Sequence, residues 1–162
     1  MKTNDIALIE LSEPLYLKKH HGYLKAVSMP KQNQILSPRL HCVATGWGRV
    51  KFDGQTSKIL QEVVLPIFDG NKCEQIWKDL SLNKNYQICG GYELDETYHT
   101  CEGDSGGPLN CQLDTGAWVI AGINSYGYDC GKDGVPDVFT RVSGYRQWID
   151  DNMKPKKNYF KK

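Results

Sequence analysis

The sequence predicts an all-β protein with one short internal helix and a C-terminal α-helix. Short runs of apolar and β-branched residues are separated by turn residues, which is the pattern of successive strands. Tyr145, Trp148 and Ile149 recur at helical spacing near the C-terminus and predict an amphipathic helix. Six cysteines in 162 residues indicate a protein of an oxidising compartment.

The first predicted strand is the apolar run Asp5-Ile-Ala-Leu-Ile-Glu-Leu11, which we expect to be buried. Residues 15–40 have a mixed composition and predict a segment that crosses the protein surface. A second strand opens at His41 and breaks at Gly46. The polar residues 49–58 that follow predict a flexible loop.

The residues that follow predict a strand, a short helix and then four further strands. Residues 60–67 are rich in β-formers, and Asp69 can cap a short helix that runs to about Leu80. Further strands are predicted over residues 87–92, with a loop at their end, and over 108–112, 118–125 and 138–142.

Composition and charge exclude several functional classes. A hydrophobic fraction of 40% suffices for a globular core, and a formal net charge of +1 indicates no nucleic-acid partner. No apolar run approaches membrane-spanning length, so no membrane partner is expected. The lysine-rich residues 154–162 predict a disordered, solvated tail, with a weak polyanion-binding patch as the alternative.

One glycine-rich turn carries candidate chemistry. Cys101-Glu-Gly-Asp-Ser-Gly-Gly-Pro-Leu109 places a serine between glycines. Gly103 can direct its N–H into a cleft, and successive N–H groups at such a turn stabilise an oxyanion. Ser105 could act as a nucleophile if a base removes its proton. The alternative is a tight turn before the strand that starts near Pro108.

The segment Gly103-Asp-Ser-Gly-Gly-Pro-Leu109 resembles the active-site serine segment of the trypsin/chymotrypsin family, the S1 serine peptidases. Asp5–Leu11 resembles the family's segment that bears the triad aspartate. His41-Cys-Val-Ala-Thr-Gly-Trp-Gly48 resembles the first strand of the family's second barrel. The resemblance runs from Asp5 to about Met153. It implies a trypsin-like antiparallel β-barrel, the second of a two-barrel fold, together with the end of the first barrel.

This resemblance predicts a partial peptidase domain over residues 1–153. Its expected parts are the remnant of the first barrel and the inter-barrel crossing (1–40), the second barrel (41–142) and the C-terminal helix (143–153). Residues 154–162 would follow as a basic tail.

The resemblance implies a serine-type endopeptidase that forms an acyl-enzyme at Ser105. Asp5 would orient the catalytic histidine, and the N–H groups of Gly103 and Ser105 would form the oxyanion hole. Asp104 would pair with an N-terminal ammonium group made by activating cleavage. The expected partners are protein or peptide substrates, with protein protease inhibitors as a further class. No cofactor is implied.

No histidine of this sequence is predicted to act as the general base. In this family the catalytic histidine lies upstream of the aspartate, whereas only four residues precede Asp5 and none is histidine. The chain has four histidines, and the resemblance places none of them at the base position: His20, His21, His41 and His99. Losing a triad member removes several orders of magnitude of rate. We therefore expect the chain alone to be inactive. We also expect a loosely ordered pocket, because the segment that would supply the ammonium partner of Asp104 is not in this sequence.

Four residues are expected to line the specificity pocket: His99, Ser125, Gly127 and Asp137. The backbones of Ser125 and Gly127 would pair with an extended substrate strand. His99 stands where trypsin-like members have aspartate, and Asp137 stands where glycine is usual. We hypothesise that Asp137 supplies a negative charge that weakly favours basic side chains, with His99 beside it making that charge depend on pH. The alternative is that His99 is a surface-loop residue.

Six cysteines alone do not determine their pairing. The resemblance implies three disulfides, Cys42–Cys111, Cys73–Cys89 and Cys101–Cys130. The sequence has no Cys-x-x-Cys pair, which argues against a zinc site, and no metal site is expected. The disulfides and the family indicate an extracellular, secreted protein, although the N-terminal residues do not form a signal peptide.

Two other functions stay open. A non-catalytic homologue could use the barrel as a secreted binding module, and the unusual pocket residues favour that possibility. The intact Asp5, Gly103 and Ser105 favour the enzyme instead. An unrelated disulfide-bonded secreted domain has no positive support. An exposed apolar face is expected near residues 1–40, where a first barrel would pack.

Overall fold

The computed structural model describes residues 3–17, 23–93 and 98–154. The strands in these ranges are β1 (Cys42–Gly46), β2 (Gln61–Val64), β3 (Gln87–Gly90), β4 (Pro108–Gln112), β5 (Trp118–Tyr126) and β6 (Asp137–Arg141). The helices are α1 (Gly70–Ile76) and α2 (Val142–Met153), and Lys78–Leu80 forms one turn of 3₁₀ helix. The predicted all-β class with an internal and a C-terminal helix is confirmed.

The six strands form one antiparallel sheet in the order β2-β1-β4-β5-β6-β3. The two edges of this sheet approach each other just after β2, where Ile67 forms a bridge with Gly90. At the same place the Phe68 N–H donates to the Cys89 carbonyl at 2.9 Å. Closure of this kind protects the strand edges from unwanted pairing.

The core lies inside the curved sheet. Leu65, Leu109 and Phe139 are fully buried there, together with the disulfide of Cys42 and Cys111. Complete burial of such an apolar side chain contributes about 1.5–3 kcal/mol to folding. The core therefore fixes the inner ends of the loops that carry the candidate site.

Local sequence features explain why both helices form. The Asp69 carboxylate accepts hydrogen bonds from the N–H groups of Asn71 and Lys72 at 3.0 and 2.9 Å, which caps α1 as predicted. Helix α2 buries Val142, Tyr145 and Ile149 on one face. No helix in the described part of the chain is long and apolar enough to cross a membrane.

The prediction of a buried strand over Asp5–Leu11 is wrong. The structure assigns no strand there, and Ile9 and Leu11 are 87% and 56% exposed. A strand needs a partner for its N–H and C=O groups, and no described segment pairs with these residues. Ile6 packs against the cluster of Val142, Tyr145 and Ile149, but no described residue buries the apolar residues that follow it.

The described residues of the predicted surface crossing, 15–17 and 23–40, are mostly exposed. Several contacts tie this segment to the barrel. For example, the Ile120 N–H donates to the Ser28 carbonyl at 2.9 Å, and the Arg141 guanidinium donates to the Gln34 carbonyl at 2.9 Å. His20, His21 and most of the predicted basic tail lie outside the described residues.

Candidate functional site

Ser105 lies in a tight turn between the Cys101–Cys130 disulfide and strand β4. The glycines on either side, Gly103 and Gly106, have φ angles of +99° and +81°, which glycine adopts without the penalty of a β-carbon. The Ser105 side chain is exposed at the surface of a cavity of about 250 Å³. The turn therefore presents a hydroxyl to an open site.

The turn leaves two backbone donors free. The N–H groups of Asp104, Gly106 and Gly107 donate to backbone carbonyls at 2.9–3.0 Å. The N–H groups of Gly103 and Ser105 have no acceptor among the described residues. Free N–H groups on both sides of one residue can receive the negative oxygen of a tetrahedral intermediate.

The Asp104 carboxylate holds the turn against β1. Its Oδ1 accepts from the Gly48 N–H at 2.8 Å, and its Oδ2 accepts from the Cys101 N–H at 3.0 Å. A β-carbon at Gly46 or Gly48 would collide with this carboxylate. Gly46 was predicted only to break a strand, whereas in the structure both glycines make room for Asp104.

Asp5 is brought to the same region although it is distant in sequence. Its Oδ2 accepts from the Ser125 hydroxyl at 2.7 Å, and its backbone carbonyl accepts from the Thr140 hydroxyl at 2.7 Å. Ser125 and Ser105 line the same cavity. The preceding residue, Asn4, accepts from the Tyr145 hydroxyl at 2.7 Å. Three side chains of the barrel and helix therefore fix the position of Asp5.

Three residues of the site were not predicted to belong to it: Thr140, Tyr145 and Asn124. Thr140 and Tyr145 hold residues 4 and 5, and the Asn124 carbonyl accepts from the Gly106 N–H at 2.9 Å. None belongs to a short motif, so no local pattern could have revealed them.

Ser125 and Gly127 lie at the cavity wall, as do Thr100 and Cys130. Ser125 is the extra residue of a β-bulge, because β5 pairs with β6 through Asn124 and Tyr126 on either side of it. A bulge changes the direction in which the strand presents its backbone. This geometry is compatible with the predicted pairing of a substrate strand.

His99 and Asp137 lie behind the cavity wall, with side chains that are 4% and 1% exposed. The possibility that His99 is a surface-loop residue is therefore wrong, because the fold packs it against Gly131 and Asp137. The Asp137 Oδ2 accepts from the N–H and the hydroxyl of Thr100 at 2.7 and 2.9 Å. No local pattern indicated this role for Thr100.

The described histidines do not contact Ser105. His41 packs edge-to-face against Trp118, with ring centroids 5.9 Å apart. His99 is buried beside Asp137, and neither of its ring nitrogens has a hydrogen-bond partner within the described ranges. No described histidine is therefore placed to take a proton from Ser105.

The structure forms three disulfides, and they join the same pairs that the resemblance implies: Cys42–Cys111, Cys73–Cys89 and Cys101–Cys130. The first of these follows directly from the sheet, because Cys42 and Cys111 are opposite each other in β1 and β4. Over the described residues, no group of three or more His, Cys, Asp or Glu side chains could hold a metal ion.

Comparison with known proteins identifies relatives over nearly the whole chain. The family model described as Trypsin matches residues 1–149. Chymotrypsin-C of Rattus norvegicus is 37% identical over 153 residues, which are 93% of this chain and 55% of that protein. Chymotrypsin-C of Bos taurus gives the same identity and coverage. Transmembrane protease serine 11G of Rattus norvegicus is 36% identical over 146 residues, which are 90% of this chain and 34% of that protein.

These relatives are longer than the present chain. It spans about half the length of the two chymotrypsin-C proteins that it matches, 55% in each case. The match nevertheless includes the barrel, the serine turn and most of helix α2. The chain belongs to the trypsin family of serine proteases.

Proposed function

We propose that this chain supplies the nucleophile, the oxyanion hole and the orienting aspartate of a serine-type endopeptidase. The observation that carries the proposal is the turn around Ser105. It combines an exposed hydroxyl with two N–H groups that donate to no described residue, and it shares a cavity with the serine that binds Asp5. A turn before a strand needs no such arrangement.

In the proposed reaction, the Ser105 Oγ attacks the carbonyl carbon of a peptide bond, and its proton passes to an imidazole. The carbonyl oxygen becomes negative and accepts hydrogen bonds from the N–H groups of Gly103 and Ser105. The C–N bond then breaks, and the imidazole gives its proton to the leaving amine. Water hydrolyses the resulting ester by the same path in reverse.

The imidazole is assigned to a residue outside this sequence, because the family resemblance places none of its four histidines at the base position. Asp5 would hold its tautomer and orientation, while the Ser125 hydroxyl fixes the Asp5 carboxylate at 2.7 Å. The chain by itself is accordingly proposed to be inactive. Protein or peptide chains are the proposed substrates, and protein protease inhibitors would occupy the same cleft.

Asp104 is proposed to couple activation to this site. Its carboxylate lines a second cavity of about 240 Å³, together with Gly46, Gly48 and His99. An N-terminal ammonium group entering this cavity would pair with Asp104 and compete with the N–H groups that bind it here. That competition would rearrange the turn that carries Ser105. The proposed location is extracellular, because three disulfides are stable in an oxidising environment.

A fluorophosphonate probe, which labels only activated serines, tests the proposal. We expect no labelling of the isolated chain. We expect labelling at Ser105 when the part of rat chymotrypsin-C that precedes the matched region is joined to the chain and activated. Asp5→Asn in that fusion should reduce the labelling rate roughly 1,000-fold or more, because the imidazole loses its orienting group.

Ser105→Ala should abolish labelling, and Ser12→Ala, at an exposed serine, should leave it unchanged. A fusion that folds and forms its disulfides but is never labelled would contradict the proposal. That result would favour the second candidate, a non-catalytic homologue that acts as a binding module. The observation in favour of this candidate is the unusual buried pair of His99 and Asp137.

A further inference from the structure

An apolar cleft lies beside the point where the two edges of the sheet meet. It has a volume of about 420 Å³, and it shares no lining residue with the cavity that contains Ser105. Its lining includes the buried side chains of Ile67, Phe68 and Leu82. Pockets that hold small ligands have volumes of roughly 300–1,000 Å³, so this cleft is large enough for one.

One side of the cleft is formed by the crossing segment before β1. Ile35 lines the cleft and is 84% exposed, whereas its neighbour Leu36 packs against the core cluster that contains Leu109. The segment is thus anchored while an apolar side chain beside the cleft stays in water. An apolar ligand in the cleft would cover part of Ile35, which favours binding.

The charged residues that line the cleft are both cations, Lys84 and Arg141, and no described carboxylate lines it. Lys84 is neutralised, because its Nζ lies 2.7 Å from the Glu74 Oε2. Arg141 forms no ion pair with any residue that the structure describes. The cleft therefore carries one positive charge without a described counter-ion.

Neutral groups hold the guanidinium of Arg141 in place. Its Nε donates to the Ser143 hydroxyl at 2.9 Å, and its Nη1 donates to the Lys84 carbonyl at 2.7 Å. Its Nη2 donates to the carbonyls of Gln34 and Asn33 at 2.9 and 3.4 Å. These bonds fix the orientation of the planar group and leave its charge unbalanced.

The same guanidinium keeps both its charge and a hydrogen-bond donor for a ligand. Burial lowers the pKa of Arg141 below its usual 12.5, yet an arginine stays protonated at neutral pH. Its Nη1 has two hydrogens and makes one of the hydrogen bonds to described residues. A half-buried cation in this state gains more from an anionic partner than an exposed one does.

We propose that this cleft binds a small amphiphilic carboxylate, with its carboxylate group at Arg141 and its apolar chain along Ile35 and Leu82. The guanidinium selects an anion through charge-assisted hydrogen bonds, and the apolar lining selects a chain over a free inorganic anion. The volume is that of a small-ligand site, so no protein partner is needed to fill it. The proposal does not depend on the catalytic role of Ser105.

Three probes separate the contribution of the charge from that of the chain. Octanoate has both, octanamide has the chain without the charge, and acetate has the charge with only a methyl group. We expect the full chain to bind one octanoate, roughly tenfold or more tightly than octanamide or acetate, as measured by calorimetry. Equal binding of octanoate and octanamide, or binding of neither, would overturn the proposal.

Arg141→Gln tests which cation is responsible. It should reduce octanoate affinity to that of octanamide, because the charge is lost. Arg146→Gln is the matched control, since Arg146 does not line the cleft and its Nε lies 2.9 Å from the Asp150 Oδ2. The control should leave octanoate affinity unchanged within roughly twofold. Equal losses in the two variants would show a general effect of net charge and no site at Arg141.

A second pair of variants keeps the proposal falsifiable if Arg141→Gln fails to fold. Ile35→Glu and Ile35→Gln both alter an exposed position, where substitutions have small effects on stability. Ile35→Glu should weaken octanoate binding roughly threefold or more relative to Ile35→Gln, because its carboxylate repels the ligand. Octanamide should bind the two variants alike. Octanoate binding that is the same in both would place the probe elsewhere on the protein and refute the site.

Other occupants of the cleft would give different results. Dimerisation in analytical ultracentrifugation that Ile35→Glu abolishes and octanoate does not affect would assign the cleft to a second copy of the chain. A short peptide of leucine and glutamate that displaces octanoate and binds more tightly would assign it to a protein partner. Either result would overturn the assignment to a small amphiphilic carboxylate.

Discussion

Two short apolar runs of this chain differ in burial. One is residues 5–11, and the other is strand β2 with its extension to Ile67. Leu65 is fully buried in the barrel core, whereas Leu11 is 56% exposed. The difference does not come from residue type, because the same side chain occurs in both places. It comes from the partner surface, which the sheet provides for Leu65 and no described residue provides for Leu11.

The contrast is incomplete at one point. Residues 4 and 5 are held against the barrel by hydrogen bonds from Ser125, Thr140 and Tyr145. Ile6 packs against the core cluster of helix α2, whereas residues 8, 9 and 11 are exposed. Asp5 is thus fixed at the site although most of the apolar run that follows it is not buried.

The largest expected difference between the two regions is in amide hydrogen exchange. Central residues of β5 are hydrogen-bonded on both sides within the sheet, whereas residues 7–11 have no backbone hydrogen bonds among the described residues. Exchange in β5 should be slower than in residues 7–11 by roughly 1,000-fold or more. Similar exchange rates in the two segments would show that the barrel does not form a stable unit in the isolated chain.

A pair of identical substitutions gives the next largest effect. Leu65→Ala removes a fully buried side chain and should lower the free energy of unfolding by about 2–5 kcal/mol. Leu11→Ala, at the exposed position, should change it by about 0.5 kcal/mol or less. Urea denaturation measures both values. A large loss for Leu11→Ala would show that residues 5–11 are covered in solution.

The smallest expected effect on stability concerns the hydrogen bond that joins Asn4 to Tyr145 of helix α2. Tyr145→Phe removes the hydroxyl that donates to Asn4 at 2.7 Å and should cost about 1 kcal/mol of stability. Amide hydrogen exchange at residues 4–6 should become faster. The exchange rate of β5 relative to the other strands should stay unchanged. Tyr86→Phe is a matched control, because Tyr86 packs against Tyr145 but does not bind Asn4. Equal effects of the two variants would assign the loss to ring packing.

The same tyrosine gives a pH dependence with a definite sign. Burial, reinforced by the nearby Tyr86, raises the pKa of Tyr145 above its usual 10.0, and an interaction with the Asn4 backbone partly opposes the rise. The folded protein therefore binds the phenolic proton more tightly than the unfolded chain does. Its contribution to stability is complete below about pH 10 and is lost as the pH rises through the raised pKa.

Local patterns sufficed for the elements whose partners the barrel itself provides. Three features have a short-range cause: the capping aspartate at residue 69, the helical spacing of Tyr145 and Ile149, and the strand break at Gly46. The prediction for Asp5–Leu11 was wrong because the same reasoning says nothing about the presence of a partner strand. The sharp turn around Ser105 was predictable, since glycine is needed at the positive φ angles of residues 103 and 106.

The amino-acid sequence alone determined the class of fold, the candidate nucleophile and the residues that could surround it, because these depend on local conformation and on a contiguous motif. Only the tertiary structure decided which distant groups meet: Thr100 and Gly127 with Asp137, and Ser125 and Thr140 with Asp5. It also decided that Asp137 is buried, with one carboxylate oxygen that accepts no hydrogen bond from a described residue. Hydrogen bonds between residues more than a hundred positions apart depend on how the sheet closes, and no local pattern encodes that closure.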